Sequence, residues 1–211
     1  ICTYSGNGTA GESVGHGLSA APEFIICKCR NSGVRWAVYT KTVGPGNTLV
    51  LDSTGGPTGG TGVWGNVNPT NSVFTVGNDP EANGSGNTYV AYCFAPVEGF
   101  SSVGSFVGNG STDGPFVYTG FKISWIMMKR TDTAGYSWFI LDATRSPYND
   151  TADYLIANSS GAEADNTTFI DILSNGFKLR DSGATPNGSG GTYVYLAFAS
   201  NPFASNGGLA R

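Results

Sequence analysis

Apolar residues in this chain fall in short runs or at every second position, and the spacing of an amphipathic helix is nearly absent. In the first half of the chain the pattern predicts strands over residues 1–6, 22–30, 35–42, 47–52, 72–77 and 87–95. In the second half it predicts them over 103–108, 122–131, 136–143, 152–157, 168–173, 176–181 and 191–199. Clusters of Gly, Asn, Pro and Ser lie between, as in Thr54-Gly55-Gly56-Pro57-Thr58-Gly59-Gly60, and these residues suit the backbone angles of turns. Asn175-Gly176, set between Phe169-Ile170-Asp171-Ile172-Leu173 and Phe177-Lys178-Leu179, reads as a two-residue hairpin turn because both residues tolerate positive φ. In Tyr193-Val194-Tyr195-Leu196-Ala197-Phe198-Ala199 both alternating faces are apolar, which predicts a strand covered on two sides.

The two halves repeat. Gly6-Asn7-Gly8-Thr9 returns as Gly108-Asn109-Gly110-Ser111, and Phe24-Ile25-Ile26-Cys27-Lys28 is answered by Trp125-Ile126-Met127-Met128-Lys129. Trp36 is answered by Trp138, and Asn83-Gly84-Ser85-Gly86-Asn87-Thr88-Tyr89-Val90 by Asn187-Gly188-Ser189-Gly190-Gly191-Thr192-Tyr193-Val194. An offset near 102 is too long for a solenoid unit and suits a small self-contained β-domain. The expected architecture is therefore all-β, with two tandem, jelly-roll-like β-sandwich domains over residues 1–98 and 99–211. The Asn-Gly-Ser-Gly stretches open strands, where a phosphate cradle would open a helix, so they read as turns.

Composition sharpens that picture. Glycine takes 32 of 211 positions and charged residues only 12%, against about 25% charged in an average domain. Lys and Arg number 11 and Asp and Glu 15, with no run of like charge. A nucleic-acid binder needs a basic face, so nucleic acid is not an expected partner. No apolar stretch approaches the roughly 20 residues of a membrane helix, and no membrane insertion is expected.

Candidate chemistry is sparse. Cys2, Cys27, Cys29 and Cys93 all lie in the first half, within apolar strand-like sequence. The period of two puts Cys27 and Cys29 on one strand face, too close along it to pair easily with each other. Buried free thiols are the reading, and a disulfide between Cys2 and one of the others is the alternative. A zinc site would need two more ligands beside Cys27 and Cys29, with His16 the single imidazole. No metal or other cofactor is assigned. His16, in Gly15-His16-Gly17, reads as an exposed turn residue. No Gly-x-Ser-x-Gly elbow or His-Glu-x-x-His motif occurs, and no catalytic residue is assigned.

Carboxylates gather loosely at Asp150, Asp153, Glu163 and Asp165, and again at Asp142 and Asp171. A glycosidase would need two of them facing each other. Asp142, at a strand end, is expected to bind loop backbone or to pair with Arg145. Loop aromatics are the better candidates for function: Trp64 in Gly62-Val63-Trp64-Gly65-Asn66, and Tyr148 in Ser146-Pro147-Tyr148-Asn149-Asp150. An aromatic face beside amide and carboxylate groups can hold a sugar ring by stacking and hydrogen bonding. The candidate glycan-binding residues are therefore Trp64, Tyr148, Asn149 and Asp150. The alternative is that these aromatic rings close the ends of each sandwich.

The stretches Tyr4-Ser5-Gly6-Asn7-Gly8-Thr9-Ala10-Gly11, Val14-Gly15-His16-Gly17-Leu18 and Asn87-Thr88-Tyr89-Val90-Ala91-Tyr92-Cys93-Phe94-Ala95-Pro96 carry a family resemblance. So do Asp113-Gly114-Pro115-Phe116-Val117-Tyr118-Thr119-Gly120-Phe121, Leu173-Ser174-Asn175-Gly176-Phe177-Lys178-Leu179-Arg180 and Asn201-Pro202-Phe203. Together they resemble a repeat domain of tailed bacteriophages, common in phages of marine and freshwater bacteria. There it forms the C-terminal region of long tail-fibre or other virion structural proteins, often behind a SPRY or lectin-like module. Cys27 and Cys29 depart from that pattern, in which aliphatic or polar residues are usual. The resemblance implies a non-enzymatic virion structural protein, a tail fibre or appendage component serving assembly and adhesion to host-surface polysaccharide. Its implied partners are other virion proteins and further copies of itself, as a homotrimer. The alternatives are a capsid decoration protein and a glycan-degrading tailspike enzyme.

Overall fold

The computed structural model describes residues 1–202, apart from the side chains at 166 and 167; the Phe203 of the resemblance lies outside them. It is all-β and antiparallel, and divides into two compact units, Ile1–Ala95 and a second that begins at Pro96.

Unit 1 contains β1 (Cys2–Ser5), β2 (Glu12–Gly15), β3 (Phe24–Cys29), β4 (Ala37–Thr40), β5 (Asn47–Val50) and β6 (Thr58–Gly59). After these come α1 (Thr61–Trp64), β7 (Val73–Val76), α2 (Pro80–Asn83) and β8 (Thr88–Phe94). Six strands form one sheet in the order β1-β8-β3-β4-β5-β6, and β2 pairs with β7 as a separate ribbon. The core joins Ile25, Cys27, Tyr39, Tyr89 and Ala91 of the sheet to Val14, Phe74 and Val76 of the ribbon. Val63 and Trp64 of α1 and Ala82 of α2 complete it. On β8, inward residues at 89, 91 and 93 are buried and those between are partly exposed, the alternation of a strand with one covered face.

Unit 2 contains β9 (Ser101–Val107), β10 (Phe116–Tyr118), β11 (Ile123–Arg130), β12 (Phe139–Asp142) and β13 (Thr151–Ile156). It continues with β14 (Ala164–Leu173), β15 (Gly176–Leu179), α3 (Ala184–Asn187) and β16 (Thr192–Ala199). All eight strands share one sheet in the order β10-β15-β14-β13-β12-β11-β16-β9. Phe106 on the edge strand β9 nevertheless meets Phe177 on β15, near the other edge, with ring centroids 5.9 Å apart. The sheet therefore curls almost into a barrel, and a single core fills it, as twist and a one-sided apolar face demand. Val194 and Leu196 are 1% exposed alongside the inward Tyr193, Tyr195 and Ala197, so β16 is covered on both sides, as its sequence predicts.

The predicted strands all appear, with ends shifted by a few residues. Periodicity missed β2, whose Glu-Ser-Val-Gly holds a single apolar residue, β6 and β10, which are too short to display a period, and the four-residue helices α1, α2 and α3. The hairpin between β14 and β15 also differs from expectation. Leu173 pairs with Gly176, so the turn residues are Ser174 and Asn175, and neither has positive φ. Gly176 is the first residue of β15, where a Cβ would lie 2.1 Å from the carbonyl oxygen of Val117 on β10. Close approach of β10, rather than turn geometry, requires glycine there.

One arrangement occurs in both units. The side chain of Asn83 ends α2, and its Oδ1 accepts the backbone N–H of Asn7 at 2.9 Å. Its Nδ2 donates to Thr9 O and Gly77 O, both at 2.8 Å, and to Asn7 Oδ1 at 3.2 Å. In unit 2 Asn187 ends α3, and its Oδ1 accepts the N–H of Asn109 at 2.9 Å. Its Nδ2 reaches Ser111 O at 2.8 Å, with Asp181 O and Asn109 Oδ1 both at 3.0 Å. Below each amide a buried tyrosine hydroxyl accepts one N–H and donates to one carbonyl. Tyr89 joins Gly84 N to Pro80 O, and Tyr193 joins Gly188 N to Ala184 O.

A lysine over an indole also recurs. Lys28 donates to Val34 O beside Trp36, and Lys129 to Tyr136 O at 2.5 Å beside Trp138, with ring distances of 5.5 and 5.7 Å. Lys129 is 1% exposed, and burial lowers its pKa to about 8 from 10.5. Between those values the unfolded chain binds more protons than the folded one, so stability rises with pH. Urea unfolding of unit 2 is expected to show a gain of roughly 2 kcal/mol between about pH 8 and pH 10. Lys129→Met is expected to remove that rise.

Candidate functional site

The connection from β12 to β13 carries three of the four residues picked out for glycan binding, and it is firmly pinned. Asp142 Oδ1 caps the turn by accepting the N–H groups of Thr144 and Arg145, while its Oδ2 takes the Arg145 Nε at 2.7 Å. This is the loop-binding role expected of Asp142. Arg145 extends to Glu163 at 2.6 Å. Ser146 is buried, donating to Asp153 Oδ2 at 2.7 Å and accepting the N–H groups of Ala152 and Asp153. Asn149 bonds to the backbone of Ile172 through both ends of its amide, Nδ2 to the carbonyl at 3.0 Å and Oδ1 from the N–H at 2.9 Å. It serves β14 as a backbone group would.

Between those anchors Tyr148 is 83% exposed. The loop lines a hollow of about 210 Å³ together with Lys122, its own share being Tyr148, Asn149, Ser146 and Pro147. Asn149 also lines a wider groove of about 520 Å³, with Asp150, Thr112, Asp171 and Arg180. In the groove Arg180 Nε holds Asp171 at 2.6 Å, and its Nη1 lies 3.9 Å from Asp113. Lys178 meets Asp113 at 2.8 Å and, with Arg180, holds that carboxyl below its ordinary range. Sequence reasoning missed Lys122, Asp113 and Arg180, which come from other strands and loops and share no motif with Tyr148.

Trp64 does not join this site. It belongs to unit 1, is 2% exposed, and meets Tyr39 edge-on at 5.9 Å. As the last residue of α1 it points into the core, so its ring offers no face to a sugar. Trp64 as a glycan-binding residue is corrected: its Gly-rich segment contains a helical turn that folds inward, so the ring packs in the core. His16 is corrected in the same way. It is 4% exposed, its Nε2 bonds to Thr70 O at 3.1 Å, and its Nδ1 accepts the N–H of Leu18 at 3.0 Å. Buried polar rings need such partners.

Of the acidic positions noted in the sequence, register sets Asp153 opposite Asp165. Neither lines the hollow at Tyr148 or the groove at Asp150. Cys27, Cys29 and Cys93 are buried, Cys2 is half-buried, and all four are free thiols. Among the described residues no group of three or more His, Cys, Asp or Glu side chains is placed to hold a metal ion.

The family model described as "Domain of unknown function (DUF7483)" matches residues 1–202. The chain belongs to that family. The DUF7483 match spans both units, including both buried asparagines and the Tyr148 loop. No curated protein and no solved structure matches the chain.

Proposed function

We propose that this DUF7483 chain is a non-enzymatic structural module of a tailed-phage virion, a tail-fibre or appendage component that adheres to host-surface polysaccharide through the Tyr148 loop. The observation that carries the adhesion reading is an exposed aromatic ring on a loop anchored at Ser146 and Asn149, the ring lining one hollow and the adjoining Asn149 and Asp150 a polar groove. Tyrosine is suited to this work because it offers a large amphipathic surface at little cost in conformational entropy. The virion setting is supported by the sequence resemblance to phage repeat domains.

The two units are, in this reading, tandem copies of one β-sandwich. The matched asparagine and tyrosine hydrogen bonds favour a duplicated framework, since unrelated β-domains have no physical need for the same side chain at the same junction. Only unit 2 then carries the adhesion loop, and self-association into a homotrimer would present several loops at once, adding avidity.

Tyr148→Ala is expected to weaken binding to host capsular or lipopolysaccharide fragments at least tenfold by titration calorimetry. The thermal midpoint should move by no more than about 2 °C, because the ring is exposed. Unchanged affinity would remove Tyr148 from the site. Continuous release of reducing ends from the same polysaccharides would replace the adhesive reading with an enzymatic one.

A further inference from the structure

We propose that Cys2 and Cys93 form a redox-active dithiol pair that closes to a disulfide and fastens the edge strand β1 to β8. In sequence the two are at opposite ends of unit 1. Among the described residues β1 lies at the sheet edge and pairs only with β8, with Cys2 opposite Ala91. Cys93 is two residues further along β8, on the same inward face, one diagonal step from Cys2. Ala91, directly opposite Cys2, is small and leaves room for the Cys2 side chain to lean toward Cys93.

The other two cysteines are placed differently. Cys27 lies on the far side of Ala91, on β3, with its sulfur 3.1 Å from the Tyr4 hydroxyl. Cys29 donates to Asn31 Oδ1 at 3.4 Å. Both are at most 1% exposed, whereas Cys2 is half-buried at the sheet edge and open to a reagent. Interaction with the Cys93 thiol lowers the Cys2 pKa to about 7, and the same interaction, with burial, raises that of Cys93. One proton is thus shared in favour of a nucleophilic Cys2 sulfur. A diagonal pair, at roughly 7–8 Å, stands beyond the usual Cα separation of a disulfide, about 4.4–6.8 Å, so bonding needs β1 to shift inward. Among the described residues β1 pairs with β8 alone, so the shift is opposed from one side of the strand.

The co-reactant is a low-molecular-weight disulfide of the glutathione type. The Cys2 thiolate attacks one of its sulfurs, the small S–S bond breaks, and one thiolate leaves. Cys93 then gives up its proton to that thiolate and attacks the Cys2 sulfur, expelling the second small thiolate. Two protein thiols are oxidised, and one small disulfide is reduced to two thiols.

The test is incubation of the full chain with oxidised glutathione at pH 7, blocking of remaining thiols, and a chymotryptic map under non-reducing conditions. Cleavage at Tyr4 and Phe24 separates Cys2 from Cys27. The expected result is a Cys2–Cys93 cross-link, with Cys27 and Cys29 recovered as blocked thiols. The thermal midpoint of unit 1 should rise by on the order of 10 °C, reversibly with dithiothreitol. The rate of oxidation should be half-maximal near pH 7. Cys2→Ser should abolish both the cross-link and the rise. A Cys2–Cys27 cross-link, a lasting glutathione adduct on Cys2, four blocked thiols, or a rise that survives in Cys2→Ser would each overturn the pairing.

Discussion

Asn187→Ala is expected to destabilise unit 2 by roughly 4 kcal/mol, lowering its thermal midpoint by about 15 °C or more. The side chain is fully buried and bonds in four directions, tying the Asn109 N–H, the Asn109 side chain, Ser111 O and Asp181 O to the end of α3. Alanine removes the amide and leaves those groups in a site too enclosed for each to regain a partner. An orphaned buried donor or acceptor costs about 1–3 kcal/mol, so several together exceed an ordinary core truncation. Asn187→Asp separates shape from hydrogen bonding, because it keeps the volume and places a carboxylate against the Ser111 and Asp181 carbonyls. It should be at least as damaging at neutral pH. Asn83→Ala should cost a similar amount in unit 1, and Tyr193→Phe, which loses one hydroxyl, only about 1–2 kcal/mol. Urea unfolding followed by tryptophan fluorescence reads all four. A loss below about 1 kcal/mol for Asn187→Ala would show that the junction is not held by this amide.

Gly176→Ala should be nearly as severe, at roughly 3 kcal/mol, with loss of ordered β10. The added methyl would stand 2.1 Å from Val117 O, 3.0 Å from the Phe116 ring and 3.1 Å from the Val117 carbonyl carbon. Two of these atoms are backbone, so relief requires β10 to move away from β15, its hydrogen-bonding partner in the sheet order. Amide exchange would show it directly: protection at Val117 should fall while β11 and β16 stay protected. A neighbouring change, Asn175→Ala, should cost little, because Asn175 does not need positive φ. Had Gly176 been a turn glycine the two substitutions would be alike.

The contrast at Gly176 shows how far local pattern carries. Asn-Gly between two apolar runs marked a hairpin, and the hairpin is there. The reason for the glycine was hidden because the atom it avoids belongs to Val117, far away in sequence. Trp64 and His16 fail for a related reason. Each sits among glycines and polar residues that read as an open loop, and each is turned inward by contacts to Tyr39 and Thr70 that come from elsewhere in unit 1. Tyr148, Asn149 and Asp150 were legible as a candidate because they are consecutive. Lys122, Asp113 and Arg180 were not, because they reach the same surface from other strands and loops. The buried asparagines stand between: the repeat marked Asn83 and Asn187 as equivalent positions, yet nothing local distinguished a buried amide from an exposed turn residue.

What the amino-acid order determined by itself was the strand content, the recurrence of one set of landmarks near an offset of 102, and the turn-rich, weakly charged character of the chain. These follow from periodicity and backbone preference, which act over a few residues. The tertiary structure decided which polar groups are buried and which distant residues meet: Asn187 with Asn109, Phe106 with Phe177. The physical reason is that burial and side-chain pairing depend on sheet order and register, and those are set by contacts between segments far apart in the chain.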